Sequence, residues 1–309
     1  MAIKGRAAGE AQSGMAAAGL HWAVTTLVAS AVLALVGCSS DADDPPADSP
    51  VASTPPTSTV EYLPGLGADV YVPVGSPQDG PIPVVLLVPG GGWQTADRSG
   101  LAPLAADLAD AGFVAVNATY RSGVDSVSFP VPVQDVLCAA GFAVEAARSA
   151  GLEPGPVVVL GHSAGGHLAA LAALGAEAPA GQCPYAVPDI EALVGLAGVY
   201  DALSFEFALV DFFGGSPSEA PEAWRLGDPV GLVESGQAPN GLQVLLLHGD
   251  SDVDVPIAQS EAFESSLRRA GVPVRLAVVP GATHASIYSA EVATPIVIEW
   301  IEDRSGPSH

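Results

Sequence analysis

The sequence predicts an α/β fold: a three-layer sandwich around a mostly parallel central sheet, with a small lid-like insertion. Three observations carry that expectation. Short apolar runs rich in Val and Leu recur from about residue 60 onward, longer segments with helical spacing lie between them, and several of those segments stop at a glycine. Repeated alternation of this kind is satisfied by helices on both faces of one sheet, joined by right-handed crossovers.

The strands come first in that argument. The runs are "VVLLV" at 84–88, "FVAVN" at 113–117, "PVVVL" at 156–160, "ALVGLAG" at 192–198, "QVLLL" at 243–247 and "VRLAVV" at 274–279. Each is apolar at consecutive rather than alternate positions, which is how a strand covered on both faces reads. Between them, "LAPLAADLADAG" at 101–112 ends on Gly112, a natural helix stop. "VQDVLCAAGFAVEAARSAG" at 133–151 places Val136, Ala140, Ala143 and Ala147 on one helical face and ends on Gly151. "SEAFESSLRRAG" at 260–271 puts Arg268 and Arg269 in its last turn, where cations suit the helix dipole. A closing helix over 294–303 is expected to open on Pro295.

Residues 200–240 break the rhythm and hold Phe205, Phe207, Phe212, Phe213 and Trp224 among Gly, Pro and acids. Open α/β sheets bind ligands at the C-terminal edge of their strands. A lid or acyl-pocket wall at that edge is therefore expected here, with ordinary packing of loop aromatics as the alternative.

The N-terminal region has its own composition. Residues 20–37 carry no Asp, Glu, Lys or Arg, and Lys4 and Arg6 lie upstream. A basic start, an apolar middle and a small-residue end describe an export signal, assigned to residues 1–37. The stretch 1–14, with Glu10 before Met15, is longer than such a basic region usually is. An uncleaved transmembrane anchor fits the same charge-free length. Residues 38–59 are rich in Pro, Ser, Thr and Asp, with Val51 the one large apolar residue of the stretch 39–59, so a disordered tether is expected there. The catalytic domain is then assigned to 60–305.

With 10 basic against 34 acidic residues the net charge is −24, and the single lysine is Lys4. Nucleic-acid binding needs clustered Lys and Arg, so no nucleic-acid partner is expected. Neither a zinc-type Cys/His spacing nor a G-K-[ST] phosphate loop occurs, and neither metal nor cofactor is expected. An exported chain meets an oxidising environment, in which Cys138 and Cys183 are expected to pair; two buried thiols are the alternative.

The chemistry centres on "VVLGHSAGGHLAAL" at 158–171. A G-x-S-x-G pattern means something only between a strand and a helix, and both flank this one. Gly161 and Gly165 leave room for a tight turn on which Ser163 projects its hydroxyl above the sheet. A serine hydroxyl needs a base to attack. His284 follows the strand at 274–279, on the edge where it could reach Ser163, whereas His309 is the final residue and His167 lies one helical turn below the serine, pointing into packing. The acid belongs on the loop after the preceding strand, where Asp250, Asp252 and Asp254 all qualify by spacing.

Over residues 60–302 the chain resembles the α/β-hydrolase superfamily, in its hormone-sensitive-lipase-like and feruloyl-esterase-like branch. The matching pieces are "PGGGW" at 89–93, "VNATYR" at 116–121, "FPVPVQDV" at 129–136, "GHSAGGH" at 161–167, "HGDSDVDVP" at 248–256 and "GATHASI" at 281–287. The family pattern His-Gly-x-x-Asp-x-x-Val-Pro implies Asp252 as the acid. The pattern His-Gly-Gly-Gly-Trp implies that Gly91 and Gly92, with Ala164, supply oxyanion-hole amides, although Pro89 stands where the family has a bracing histidine. The segment "LVGC" at 35–38 resembles a bacterial lipobox, implying lipidation of Cys38 and a lipid anchor on the outer side of the cell membrane.

The resemblance implies a serine carboxylesterase that acts on small-molecule esters through a Ser163–His284–Asp252 triad and an acyl-enzyme. An amidase, arylformamidase or exopeptidase with the same triad, and a non-catalytic surface-binding lipoprotein, are the rival readings. The aromatics of 200–240 and Trp93 suggest an apolar acyl or aryl group.

Overall fold

A computed structural model describes residues 54–75, 80–175 and 183–305. The export signal, Cys38 and most of the tether lie outside the described residues. Among the described residues no helix is long and apolar enough to cross a membrane.

Eight strands form one sheet: β1 (Ser58–Leu63), β2 (Leu66–Tyr71), β3 (Ile82–Val88), β4 (Val114–Ala118), β5 (Pro154–His162), β6 (Ala192–Leu196), β7 (Gln243–Gly249) and β8 (Val274–Val279). Their spatial order is β1-β2-β4-β3-β5-β6-β7-β8. The first two pair antiparallel and β2 joins β4 antiparallel; every pairing from β4 to β8 is parallel. The six expected strands are β3 to β8.

The consecutive apolar runs have a direct cause. Along β3, Val84, Leu86 and Val88 pack into one core while Val85 and Leu87 pack into the other. Alternate side chains point to opposite faces, so a strand covered on both sides must be apolar throughout. Helices α2 (Val131–Ser149), α3 (Ala164–Ala173) and α7 (Ala258–Arg269) put Val136, Leu168 and Phe263 into the first core. Helices α1 (Ala102–Asp110) and α8 (Ala290–Ser305) put Leu104 and Val297 into the second. The four residues expected to share a face of α2, Val136, Ala140, Ala143 and Ala147, are all buried. Cys138 on α2 is bonded to Cys183.

Three expectations need correction. The tether does not extend to residue 59: β1 starts at Ser58, which pairs with Val70, and Thr59 pairs with Asp69. The β1–β2 hairpin lay outside the recognised strands, because its solvent-facing first strand offers no apolar run. The last helix opens at Ala290 rather than at Pro295, which sits inside it. As the sixth residue of α8, Pro295 forfeits one intrahelical bond, the one to the Glu291 carbonyl, and the neighbouring Thr294 hydroxyl donates to Asp107 of α1 at 2.9 Å.

The insertion between β6 and β7 folds into α4 (Glu206–Phe213), α5 (Pro221–Leu226) and α6 (Pro229–Glu234). The strand order reverses at β3, which lies between β4 on one side and β5 on the other. The crevice beyond the C-terminal ends of β3 and β5 is thus the topological switch point, where open α/β sheets place their ligands.

Candidate active site

Ser163 sits at the joint between β5 and α3 with φ 53° and ψ −122°, a backbone region that costs a non-glycine residue about 1–3 kcal/mol. Its surroundings enforce the turn. A side chain at Gly161 would run into the carbonyl of Gly165, and one at Gly165 would meet the carbonyls of Val88 and Pro89. The Ser163 amide donates to the Leu196 carbonyl on β6 at 2.9 Å.

The loops after β7 and β8 bring the other two groups in. His284 Nε2 lies 2.9 Å from Ser163 Oγ, and His284 Nδ1 lies 2.7 Å from Asp252 Oδ2. A carboxylate only accepts, so Nδ1 carries the proton and donates to Asp252, which leaves Nε2 free to accept from the serine hydroxyl. The Asp252 side chain is fully buried and that of His284 is partly exposed to the cleft. The other oxygen of Asp252 accepts from the amides of Asp254 and Val255, each at 2.9 Å. Burial pushes the Asp252 carboxyl up, but the Val255 amide, His284 and the Asp254 amide outweigh it and hold it below the usual range.

His248, fully buried, fixes the acid loop. Its Nε2–H donates to the Val255 carbonyl at 2.9 Å and its Nδ1 accepts from Ser260 Oγ at 2.7 Å. Asp250 and Asp254 are exposed. Asp250 Oδ1 accepts from the Gly281 amide at 2.7 Å and so ties the acid loop to the histidine loop. Asp254 brings a ligand-type atom within 4.8 Å of those of Asp252 and His284, a group able to converge on a metal ion. The relay already engages Oδ2 of Asp252 and Nδ1 of His284, however, and the loop amides engage Oδ1.

A cleft of about 320 Å³ opens over Ser163, lined by Pro89, Gly90, Gly91, Gly92, Asp97, Gly100, Leu101, His162, Ser163, His284 and Tyr288. Gly91 and Gly92 thus face the nucleophile, and among the described residues their amides donate to no backbone carbonyl. Ala164, the first residue of α3, follows the serine directly.

Sequence reasoning did not single out Asp97, Leu101, His162 or Tyr288 as cleft walls. The Tyr288 ring lies 4.3 Å from that of His162, whose Nε2–H donates to the His284 carbonyl at 3.0 Å. Burial, then the neighbouring His284, pushes the His162 pKa down to about 3, so its ring is neutral. The signal for Tyr288 was its place four residues after His284 on the same loop.

The aromatic acyl-pocket wall is not there. Trp93, Phe212, Phe213 and Trp224 are buried. Their rings meet in series at tilted angles, Trp93 to Phe212 at 5.6 Å, Phe212 to Phe213 at 5.1 Å and Phe213 to Trp224 at 4.6 Å. No residue of 200–240 lines the cleft, so the insertion is not its lid here. Phe212 and Phe213 pack against Phe129, Trp93 and His167 instead, while Phe207 on α4 is exposed. His167 is fully buried beneath them, as expected for a packed side chain.

Comparisons with known proteins agree with the fold. A family model described as BD-FAE matches residues 68–267. Esterase LipQ of Mycobacterium tuberculosis is 32% identical over 265 residues, covering 81% of this chain and 62% of that protein. A probable carboxylic ester hydrolase of the same organism, LipM, is 31% identical over 242 residues, covering 71% of this chain and 54% of that protein. The chain therefore spans little more than half the length of such curated relatives. Among solved structures, an acetyl ester-xyloside bifunctional hydrolase from Caldicellulosiruptor lactoaceticus matches with a TM-score of 0.66 at 22% identity, covering 81% of this chain and 97% of that one.

Proposed function

Because the chain belongs to the BD-FAE family and has the α/β-hydrolase fold, we propose that it is a serine hydrolase cleaving carboxylic esters through an acyl-enzyme. The observation that carries this reading is the continuous relay from Asp252 through His284 to the Ser163 hydroxyl, with contacts of 2.7 and 2.9 Å. Ser163 attacks the ester carbonyl as His284 takes its proton, and Asp252 stabilises the resulting imidazolium. The oxyanion falls to the amides of Gly91, Gly92 and Ala164, where removal of a single donor typically costs ~10²–10³ in rate. His284 protonates the departing alcohol, then activates the water that releases the acid. The esterase names of LipQ and LipM support this reading. The cleft is about 320 Å³, and besides the nucleophile and base its walls are four glycines with Pro89, Asp97, Leu101, His162 and Tyr288, which fits a small acyl group better than a long chain.

The test is labelling with a fluorophosphonate probe together with turnover of p-nitrophenyl esters and the matching anilides. Stoichiometric labelling of Ser163, its loss in Ser163→Ala, and a preference for short-chain esters are expected. A folded wild type that stays unlabelled would leave the fold a binding scaffold, and a preference for anilides would make the enzyme an amidase.

The reading extends to placement. Residues 1–37 act as an export signal and Cys38 carries lipid, holding the enzyme on the outer side of the cell membrane. The charge-free stretch 20–37 ending in "LVGC" supports this. Intact-mass analysis of membrane-extracted protein is expected to show a chain beginning at a lipidated Cys38; a mass that includes residues 1–37 would point to an uncleaved anchor.

A further inference from the structure

We propose that His167 is the positioning residue that sets the spacing between the two halves of the oxyanion hole, bracing the loop that Pro89 leaves without its usual histidine. The inference rests on the serine-hydrolase reading above.

The loop needs a brace. Gly91, Gly92 and Trp93 have φ of 135°, 59° and 60° in succession. The two glycines adopt such values freely, but Trp93 does not. A bulky side chain holds that conformation only where its surroundings over-determine it. The surroundings of Trp93 are specific: the indole is buried, stacks near Phe212 and meets the His167 ring edge-on at 5.5 Å. Its Nε1–H donates to His167 Nδ1 at 3.0 Å.

The proton count of the histidine follows from its partners. An indole only donates, so His167 Nδ1 is bare. A carbonyl only accepts, so the 2.8 Å contact of Nε2 with Gly227 O is a donation by His167. Both ring nitrogens are therefore committed, and the neutral ring is locked in one tautomer and one orientation. Burial favours this state, since it penalises the charged form.

His167 stands on α3, one turn beyond Ala164, and its amide donates to the Ser163 carbonyl at 3.1 Å. One half of the hole, Gly91 and Gly92, hangs from Trp93, and the other half is the first residue of α3. The Trp93–His167 bond is the direct side-chain link between the halves. The far end of the strut rests on Gly227, between α5 and α6, so the insertion serves the oxyanion hole from behind rather than as a lid from above. Such a group touches no substrate. It acts on the transition state through donor geometry, which predicts a loss in kcat rather than in KM.

The experiment compares Trp93→Phe, His167→Gln and His167→Asn with wild type in p-nitrophenyl acetate turnover, alongside thermal melts and fluorophosphonate labelling. Phe keeps the buried ring and drops the donor. Gln retains a donor near the Nε2 position but loses the acceptor near Nδ1, whereas Asn keeps an acceptor close to Nδ1. The expected result is a fall in kcat of about tenfold or more for Trp93→Phe and His167→Gln, with KM within about twofold. His167→Asn should recover a substantial part of the loss. If both histidine variants fail to fold, Trp93→Phe decides alone. A folded Trp93→Phe enzyme with wild-type kcat, or one whose loss lies in KM, overturns the proposal. A wild type that is neither labelled nor active overturns the serine-hydrolase reading itself, a result distinct from an active wild type with unaffected variants.

Discussion

Asp252 offers two oxygens, and the structure engages both: one accepts two amides of its own loop and the other accepts His284 Nδ1–H. Besides stabilising the imidazolium with its charge, it can only accept, which fixes the His284 tautomer. In Asp252→Asn the amide nitrogen, turned toward His284, would present a donor to Nδ1 and drive the ring proton to Nε2, where it faces the serine hydroxyl and removes the base. The expected loss is ~10⁴ in kcat with KM little changed. Asp254→Asn is the control, because that side chain is exposed, and it should stay within about twofold of wild type. Steady-state kinetics on p-nitrophenyl acetate check both. An active Asp252→Asn enzyme beside an inactive Asp254→Asn would move the acid two residues along the loop. Spacing leaves these three acids open; the resemblance of "HGDSDVDVP" to the family pattern is what implies Asp252, and the contact to His284 Nδ1 falls on that residue.

Elements differed in how plainly they could be read, for a physical reason. A strand covered on both faces writes a continuous apolar run into the chain, so β3 to β8 were legible and the glycine-flanked serine between β5 and α3 could be placed at once. The β1–β2 hairpin sits at the sheet margin. Its first strand has one buried residue, Tyr62, and backbone pairing with β2 rather than side-chain burial defines it. The helices of the insertion were obscured differently. Phe205, Phe212, Phe213 and Trp224 announce burial, but composition does not say against what. The structure answers with one another, Trp93, Phe129 and His167 for Phe212, Phe213 and Trp224, and with Phe207 for Phe205. Aromatic residues near a site in sequence thus invited a substrate wall where the fold uses them as a buttress. The small residues that do wall the cleft, Gly90 to Gly92 and Gly100, leave no hydropathy signal. Their role appears only when the loops after β3 and β8 close over Ser163.

At the scale of the whole molecule, the buried histidines set how stability responds to acid. Burial lowers His167 to about 4 and His162 to about 3, and lowers His248 as well. In the unfolded chain these rings return to about 6.5 and take up protons that the native state refuses. The unfolded state therefore binds more protons below that value, and native stability falls as pH drops from about 6.5 toward 4. Asp228 acts in the opposite direction. Burial raises it to about 6 despite its bonds to the Ala202 and Gly231 amides, so between its unfolded and native values the native state holds the extra proton. Relief of self-repulsion from the net charge of −24 also opposes the loss. Two histidines against one aspartate leave a net uptake of at least about one proton on unfolding, or about 1.4 kcal/mol per pH unit. Urea unfolding at pH 6 and pH 4.5 should show a loss of about 2 kcal/mol, and His167→Asn, where no ring titrates, should flatten the dependence by about one proton. A stability that holds level or rises over that interval would mean that Asp228 and the surface carboxylates outweigh the three rings. The histidines that hold the acid loop, the His284 loop and the Trp93 loop in place would then not govern acid sensitivity.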